Sequence, residues 1–359
     1  MSRIHNFNAG PGVLPTSVLT EAKQALWDVE GSGIGILEHS HRAAVFEGIL
    51  ERAKARLHRL LQLSDDQEVL FLHGGARTQF FMLPMNILRG RRATYLDTGI
   101  WARGAAEQAA RYGTVDVPYS SRETHYDRVP QPSELQPTPQ GTLYLHYTSN
   151  NTVAGTEYHY IPQVDVPLVC DMSSNIFSRP IEGSKFHFIY AGAQKNMGPA
   201  GVTVVIVKRE WLDQMDPDLP QMLQYPIHVA KNSMLNTPCT FGIYMIERVA
   251  AWLEEHGGLE WMAERNDRQA SRLYEAVDSS SLWQAKVQVH SRSRMNVTFT
   301  SGQEELDTVF WKSAAQHGLA GLKGHRSVGG IRASIYNAQT DEAVDALIAF
   351  MAEFEKKHG

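Results

Sequence analysis

The sequence has few cysteines and no long apolar run. Its two cysteines, Cys170 and Cys239, are too few for a disulfide framework and lack the spacing of metal ligands, so we expect a reducing compartment and no metal site. No apolar stretch approaches the ~20 residues that a helix needs to cross a bilayer, and the amino terminus lacks the apolar segment of a secretory signal. These absences predict a cytoplasmic protein that does not span a membrane.

A surplus of positive charge is also missing. The chain has 34 Lys and Arg against 39 Asp and Glu, which gives a formal net charge of −5. Without an overall basic field there is no surface for nucleic acid or an anionic membrane, so any anion site must be local. The length of 359 residues and the 43% hydrophobic content predict an enzyme-sized globular protein of about two domains.

Short apolar runs alternate with helices or loops between residues 68 and 207. Because these runs lack polar alternation, we expect strands that are covered on both faces, in the largely parallel sheet of an α/β domain. Helices are predicted over 16–30, 45–61, 78–88 and 102–112. The predicted strands are Val69–Leu72, Ala93–Leu96, Leu143–His146, Leu168–Cys170, Phe186–Tyr190 and Val202–Val207.

The pattern changes after residue 207. The segment 120–140 and the Pro/Met-rich region 217–238 are predicted to be irregular connections. Helices are then predicted over 241–255, 259–277, 304–317 and 341–357, with strands over 295–300 and 330–336. This second pattern predicts a smaller α+β domain.

A single lysine, Lys195, lies between an apolar strand and a Gly/Pro-rich turn. It has no acidic neighbour nearby in the sequence, and the small residues around it let a ligand approach closely. A desolvated amine loses its proton readily and attacks carbonyl groups, so one interpretation is a Schiff-base lysine. An ordinary lysine at a strand end fits these residues equally well.

Three further positions lie at strand ends or helix starts, where ligands of an α/β sheet bind. Asp171 could contact a pyridine nitrogen or could cap the following turn. Gly74–Arg77 forms either an anion site or a plain strand-to-helix turn. Trp101 could stack on an aromatic ring or pack against the protein. Together with Lys195, and in this order, these residues match the needs of pyridoxal phosphate.

Several motifs resemble those of the phosphoserine aminotransferase family, which is part of class V of the fold-type-I pyridoxal-phosphate aminotransferases. The resemblance runs nearly end to end, and its Gln-Lys-Asn block and carboxy-terminal His-Arg and Arg block are specific to the family. The matching segments are Asn6–Pro11, His41–Arg42, Gly74–Phe80, Cys170–Ser174, Gly192–Gly201, Asn236–Phe241 and Gly324–Asn337.

The resemblance implies a fold and a cofactor site. The implied α/β fold has a large domain, residues 16–257, with a mainly parallel seven-stranded sheet flanked by helices, and a smaller α+β domain of residues 1–15 and 258–359. Lys195 would carry pyridoxal phosphate, and Asp171 would contact its pyridine nitrogen. The other implied cofactor ligands are Ala76, Arg77, Trp101, Thr152 and Gln194, with Asn236 and Thr237 reaching in from the partner subunit of a homodimer.

The resemblance also implies reversible amino transfer between O-phospho-L-serine and 2-oxoglutarate, giving 3-phosphohydroxypyruvate and L-glutamate in serine biosynthesis. A related substrate, 4-phosphohydroxy-L-threonine of pyridoxine biosynthesis, is expected as well. Phosphoserine and glutamate both carry an α-carboxylate and a distal anion, and arginine binds either group bidentately. The family places the α-carboxylate on Arg332 and the distal group on His41, Arg42, His325 and Arg326. The competing interpretation of 324–332 is a basic surface loop.

Two other classes of function remain open. Another fold-type-I enzyme, such as an alanine–glyoxylate type aminotransferase or a desulfurase, would keep Lys195 and Asp171 without needing the His-Arg pairs. A desulfurase would also need a mobile nucleophilic cysteine, for which neither cysteine is well placed. A cofactor-holding regulator would be expected to bring a nucleic-acid-binding segment, and this sequence has no basic region for one. Departures from the family pattern at Ala9, Asn151 and Asn175 leave substrate affinity and preference open.

Overall fold

The computed structural model describes residues 3–359. The strands are β1 His5–Asn6, β2 Gln67–Gly74, β3 Arg92–Asp97, β4 Thr114–Ser120, β5 Thr142–Thr148, β6 Asn150–Asn151, β7 Thr156–Glu157, β8 Leu168–Asp171, β9 Phe188–Gly192, β10 Gly201–Lys208, β11 Gln284–Ala285, β12 Asn296–Thr300, β13 Leu319–Ala320 and β14 Ile331–Ser334. The helices are α1 Thr16–Ala25, α2 Ala44–Leu60, α3 Ala76–Ile87, α4 Ile100–Ala109, α5 Arg209–Leu212, α6 Tyr225–Ala230, α7 Thr240–Glu255, α8 Gly258–Asp278, α9 Glu304–Gln316 and α10 Asp341–His358.

Seven strands form the main sheet in the order β2-β10-β9-β8-β5-β3-β4. Strands β9, β8, β5, β3 and β4 run parallel to one another, and β10 is antiparallel to both of its neighbours, β2 and β9. Apolar clusters cover both faces, since Leu145 and Tyr147 of β5 pack in one cluster and Tyr144 packs in the other. The predicted α/β fold with a mainly parallel seven-stranded sheet is therefore confirmed.

Several local predictions differ from the structure. The region 217–238, predicted to be irregular, contains helix α6. The predicted first helix is too long, because α1 ends at Ala25 and the chain turns back there, with the amide of Ile36 donating to the carbonyl of Ala25 at 2.8 Å. Strand β4 was not predicted at all. It forms the edge of the sheet and contains Pro118, a residue that sheets tolerate at edges.

A separate apolar core fills the carboxyl-terminal part of the chain. It is built by α8, α9, α10 and the small sheet β11-β12-β14, and it also takes in Phe7 from the amino-terminal segment. Helix α8 contributes Met262 to a core of the main sheet and Leu273 to the carboxyl-terminal core. The domain limits, residues 16–257 against residues 1–15 and 258–359, stay a prediction.

The carboxyl ends of β2, β5, β8 and β9 meet at one edge of the main sheet. The amino-terminal segment crosses this edge, where the amide of Gly12 donates to the carbonyl of Gln194 at 2.7 Å and the Tyr336 hydroxyl donates to the carbonyl of Ala9 at 2.6 Å. Both parts of the chain therefore contribute to this edge.

None of the helices within residues 3–359 combines the length and apolarity needed to cross a bilayer.

Candidate active site

A cavity of about 260 Å³ opens at the carboxyl edge of the main sheet. Every cofactor ligand implied by the sequence lines it, except Asn236 and Thr237. The lining residues are Gly75, Ala76, Arg77, Phe80, Trp101, Thr148, Asn150, Thr152, Asp171, Ser173, Ser174, Gln194 and Lys195.

Lys195 lies in the turn after β9, with its side chain half-buried. Its Nζ donates a hydrogen bond to the hydroxyl of Thr152 at 2.6 Å. Desolvation lowers the pKa of Lys195 to about 8; the charge of Asp171 opposes this shift, and the guanidinium of Arg332 adds to it. The amine is therefore far easier to deprotonate than an ordinary lysine, as a nucleophile for carbonyl groups must be.

Asp171 is the last residue of β8, and it is 4% exposed. Its Oδ1 accepts hydrogen bonds from the amide of Ser173 at 2.9 Å and from the Ser173 hydroxyl at 2.6 Å. Burial raises the pKa of Asp171, while Lys195 and the bonds from Ser173 lower it. Asp171 thus caps the turn after β8 and also lines the cavity, so the two interpretations of this residue do not exclude each other.

Two buried rings lie behind Asp171. Tyr190 is the neighbour of Asp171 across β8 and β9, and hydrogen bonding from its hydroxyl favours the ionised form of Asp171. The Tyr190 hydroxyl lies 2.9 Å from Nε2 of His146. Burial lowers the pKa of His146 to about 3, and its Nδ1 has no partner within residues 3–359. A neutral ring that is protonated on Nε2 satisfies this geometry, with His146 donating to Tyr190 and Tyr190 donating towards Asp171.

The amino end of α3 opens onto the cavity without a side-chain cap. The first backbone amides of the helix belong to Ala76 and Arg77, and uncapped amides at a helix start bind anions such as phosphate. Gly74 adopts a φ of +102°, and a Cβ there would lie 2.9 Å from the Thr78 hydroxyl, so this turn requires glycine. The guanidinium of Arg77 lies 4.8 Å above the ring of Trp101 and brings a cation to the same place.

A second cavity, of about 580 Å³, is lined by His325 and Arg332. Arg332 is also joined to the wall of the first cavity, because its Nη1 donates to the carbonyl of Thr152 at 3.3 Å. Burial lowers the pKa of Arg332, and no acidic residue in the described part of the chain offsets this effect. Its Nε is buried without a hydrogen-bond partner there. Arg332 is therefore a desolvated cation with free hydrogen-bonding capacity at the junction of the two cavities.

His325 and Arg326 lie in the turn between β13 and β14. Nδ1 of His325 is 2.8 Å from the hydroxyl of Ser327. Desolvation lowers the pKa of His325, and the charges of Arg332 and Arg326 lower it further, so the three side chains lie close together. Arg326 itself does not line either of the two cavities.

Four other residues that the sequence assigned to the site lie outside both cavities. His41 and Arg42 form the turn before α2, and Nε2 of His41 is buried without a partner within residues 3–359. Asn236 and Thr237 are exposed in the segment before α7, where the carbonyl of Thr237 lies 3.0 Å from Nε2 of His73. One subunit alone therefore does not bring the complete set together.

Four large apolar side chains are exposed between α1 and α2, close in the sequence to His41 and Arg42. We call them the apolar patch: Leu26, Trp27, Ile34 and Leu37, which are 45%, 83%, 45% and 64% exposed. Trp27 is the most exposed large hydrophobic residue in the described part of the chain. Exposed apolar surface of this kind marks interaction sites.

Some lining residues were not predicted as ligands. Thr148 ends β5 and Ser173 lies two residues after β8, and a position at a strand end is a signal that the sequence carries. Asn150 donates to the Ser174 hydroxyl and to Oδ1 of Asn296, each at 2.8 Å, so it ties the cavity to the carboxyl-terminal part of the chain. Lys286 lines the second cavity, and nothing in the local sequence indicates that.

Two of the departures from the family pattern lie away from both cavities. Asn151 donates to the hydroxyls of Thr98 and Thr156, each at 3.1 Å. Asn175 accepts a hydrogen bond from the Ser149 hydroxyl at 2.6 Å. Both amides therefore belong to buried hydrogen-bond networks around the site.

Cys170 is buried, and burial raises the pKa of its thiol to about 12. A thiol with a raised pKa is a poor nucleophile because the thiolate is the reactive form. This cysteine therefore does not support the desulfurase alternative.

The residues of the first cavity fit pyridoxal phosphate. They include an amine with a lowered pKa, a buried carboxylate, an aromatic ring and an uncapped helix start. These groups match the aldehyde, the pyridine nitrogen, the ring face and the phosphate of that cofactor.

Comparison with known proteins identifies relatives over nearly the full length. The sequence model of the class-V aminotransferases matches residues 4–347. A phosphoserine aminotransferase of Herpetosiphon aurantiacus is 47% identical over 359 residues, covering 99% of each chain. The solved phosphoserine aminotransferase of Bacillus circulans subsp. alkalophilus has a TM-score of 0.97 and 46% identity, covering 99% of both chains. The pyridoxal-phosphate-bound enzyme of Trichomonas vaginalis has a TM-score of 0.92 and 36% identity, covering 98% of this chain and 100% of that one.

Proposed function

The chain belongs to the class-V aminotransferases and, among them, to the phosphoserine aminotransferases, and we propose that it transfers the amino group between O-phospho-L-serine and 2-oxoglutarate. The products of this reversible reaction are 3-phosphohydroxypyruvate and L-glutamate, in serine biosynthesis. The arrangement of Lys195, Asp171 and Arg332 supports this function best. It combines an amine of lowered pKa, a buried carboxylate and an arginine with no neutralising acid in the described part of the chain.

Pyridoxal phosphate, when bound, supplies an aldehyde that reacts with amines and a ring that accepts the electrons released at the substrate α-carbon. We assign its phosphate to Ala76 and Arg77 at the start of α3 and to Gln194 in the turn after β9. Trp101 would pack against the ring of the bound cofactor, and Thr152 would lie near it.

Asp171 would contact the ring nitrogen of the bound cofactor and keep it protonated. A buried carboxylate tends to be neutral, but the bonds from Ser173 and Tyr190 and the charge of Lys195 all favour its ionised form. Only the ionised form can keep the neighbouring nitrogen protonated.

Lys195 would carry the cofactor and, once its amine is free, would move the proton of the substrate. The hydroxyl of Thr152 holds its Nζ at 2.6 Å. Because the pKa of Lys195 is lowered to about 8, its neutral amine accepts the proton of the substrate α-carbon, and its protonated form returns it.

Arg332 binds the α-carboxylate that both amino-acid substrates share. Its unpartnered Nε offers one of the two parallel hydrogen bonds that carboxylates form with arginine. His41, Arg42, His325 and Arg326 bind the distal phosphate or carboxylate. An α-carboxylate and a phosphate are also present in 4-phosphohydroxy-L-threonine, so we propose this second substrate, and with it a part in pyridoxine biosynthesis.

The active protein is a homodimer with shared active sites. His41, Arg42, Asn236 and Thr237 do not line the cavities of their own subunit, which supports their contribution to the site of the partner. The apolar patch beside His41 supplies surface for the contact.

We propose the cytoplasm as the compartment, because the two cysteines are free and separate. The large domain of this subunit is residues 16–257, and the small domain is residues 1–15 and 258–359.

The second candidate is another fold-type-I aminotransferase that accepts a different amino acid. It would use Lys195 and Asp171 in the same way. It would not need a cluster of anion-binding side chains for a distal group, so His325 and Arg326 near Arg332 favour the first candidate.

The absorption spectrum of the purified holoenzyme tests the proposal. We expect a visible band that is lost when O-phospho-L-serine is added and that returns with 2-oxoglutarate. L-serine, which lacks the phosphate, is the matched control and should act only at much higher concentration. A band that responds to glutamate but not to phosphoserine would leave an aminotransferase with a different substrate. A Lys195→Ala variant that turns over at the wild-type rate would remove Lys195 from the mechanism.

A further inference from the structure

The turn that carries His325 and Arg326 is closed mainly by its own backbone. At its base, the amide of Gly324 donates to the carbonyl of Gly330 at 2.9 Å, and Lys323 bridges to Ile331. Within the turn, the amide of Gly329 donates to the carbonyl of His325 at 2.9 Å. These bonds define the shape of the turn but do not tie its tip to the rest of the subunit.

One side chain makes that connection. Nζ of Lys286 donates to the carbonyl of Val328 at 2.8 Å, and it is the only hydrogen bond within residues 3–359 that joins the tip of the turn to another element. Lys286 directly follows β11, which pairs with β12 in the small sheet. The turn is therefore attached to the framework of the carboxyl-terminal core through a single ammonium group.

The backbone beside Lys286 is shaped for this contact. Gly330 has a φ of +71°, and a Cβ at that position would lie 2.9 Å from Nζ of Lys286 and 2.9 Å from the carbonyl of Phe299. Glycine at 330 thus lets the ammonium pass close to the chain and reach Val328.

Lys286 forms no ion pair within residues 3–359. Asp307 is the acid whose charge acts on it, but both oxygens of Asp307 accept other bonds, from the Thr300 hydroxyl at 2.6 Å and from Ser301 at 2.7 Å. Lys286 lines the same cavity as His325 and Arg332. It therefore adds positive charge to the cavity in addition to its bond with the turn.

We propose that Lys286 is a positioning residue for the distal anion: it fixes the turn of residues 324–330 so that His325 and Arg326 are held ready for the phosphate of the substrate. This inference rests on the proposed function. It predicts that loss of Lys286 weakens binding of phosphoserine without slowing the chemistry at Lys195.

The test compares Lys286→Met, Lys286→Arg and the control Lys312→Met. Lys312 is an exposed lysine on α9 that lines neither cavity, so its replacement removes the same charge from the same part of the chain. Because Lys286 acts on the substrate only through the turn, its loss should raise KM for phosphoserine by less than the loss of a direct charged hydrogen bond would, about three- to tenfold in Lys286→Met, with kcat within about twofold of wild type. Lys286→Arg, which still donates to the carbonyl, should restore most of the loss, and Lys312→Met should match wild type.

A second measurement reads the turn directly. Trypsin cleaves after Arg326, so the rate at which a fragment ending at Arg326 appears in the mass spectrum reports how often the turn opens. We expect faster cleavage in Lys286→Met than in Lys286→Arg or Lys312→Met. Equal cleavage rates together with an unchanged KM would overturn the inference.

The outcomes separate the two proposals. If the wild-type holoenzyme does not respond to phosphoserine, the proposed function fails. If the wild type responds and Lys286→Met has the same KM, only the role of Lys286 fails. A variant in which kcat falls as much as kcat/KM would also contradict a positioning role in substrate binding.

Discussion

Replacing Arg332 by alanine should weaken the reaction with phosphoserine and with glutamate by similar factors. The two substrates differ at their distal end, but both present the same α-carboxylate. Arg332 is partly buried, its side chain makes a single hydrogen bond within residues 3–359, to the Thr152 carbonyl at 3.3 Å, and its Nε has no partner there. A substrate carboxylate would therefore gain bonds that the protein itself does not make.

The size of the loss follows from the kind of bond. A hydrogen bond to a charged group contributes about 1.5–3 kcal/mol. This corresponds to a decrease of about tenfold to over a hundredfold in kcat/KM for Arg332→Ala. A further loss comes from Lys195, because Arg332 helps to lower the pKa of that amine. Without Arg332 the pKa of Lys195 rises. The decrease in kcat/KM that comes from Lys195 should therefore shrink as the pH is raised above about 8. The decrease that comes from the missing contact with the substrate carboxylate should not.

The assay is the single-turnover rate of each half-reaction, followed by absorbance with phosphoserine and with glutamate over a range of pH. Arg111→Ala is the control, since Arg111 is exposed and lies outside both cavities. A near-normal kcat/KM for both substrates would refute the assignment of Arg332. A large loss with only one of them would show instead that Arg332 binds the distal group.

Two further predictions concern Lys195 and the dimer. The apoenzyme should take up pyridoxal phosphate faster as the pH rises through about 8, since only the deprotonated amine reacts; Arg332→Ala should move this midpoint up and Asp171→Asn should move it down. Stopped-flow absorbance measures the uptake, and a midpoint near the ordinary lysine value of 10.5 would contradict the lowered pKa. Trp27→Glu should dissociate the dimer and weaken cofactor retention, whereas Val289→Glu, at another exposed apolar residue, should not. Sedimentation velocity decides this, and an intact Trp27→Glu dimer at low micromolar concentration would exclude the apolar patch from the interface.

The sequence carries strong signals for the buried part of the sheet. Runs such as Val202–Val207 are apolar apart from Thr203 because both faces of their strand are covered. Strand β4 is different because it lies at the edge and is partly exposed, so polar residues are mixed with its apolar ones and it includes Pro118. Its signal was the weaker alternation of Val115, Val117 and Tyr119, which the proline interrupts.

The residues of the site also differ in how far the sequence predicts them. Asp171, Gly75 and Lys195 are predictable because parallel strands bring their carboxyl ends to one edge, so a polar residue after a strand belongs to that edge. Lys286 has no such signal, since its role depends on a contact with Val328 from a distant segment. The positions of His41 and Asn236 outside the cavities could not be read from periodicity either, because periodicity describes one chain and carries no information about a second copy.

The charges of the site explain why it should hold anions at all. Lys195 and Arg332 are both desolvated, and among the described residues Asp171 is the one carboxylate that lines the first cavity with Lys195. Desolvation disfavours both cations, so the pocket alone is an unfavourable arrangement of charge. The helix start at Ala76 and the guanidinium of Arg77 add further positive potential. A phosphate at the helix start and a carboxylate at Arg332 would each replace lost hydration with a charged hydrogen bond. The arrangement therefore favours a cofactor and substrates that bring their own negative charge, and it disfavours neutral amino acids of the same size.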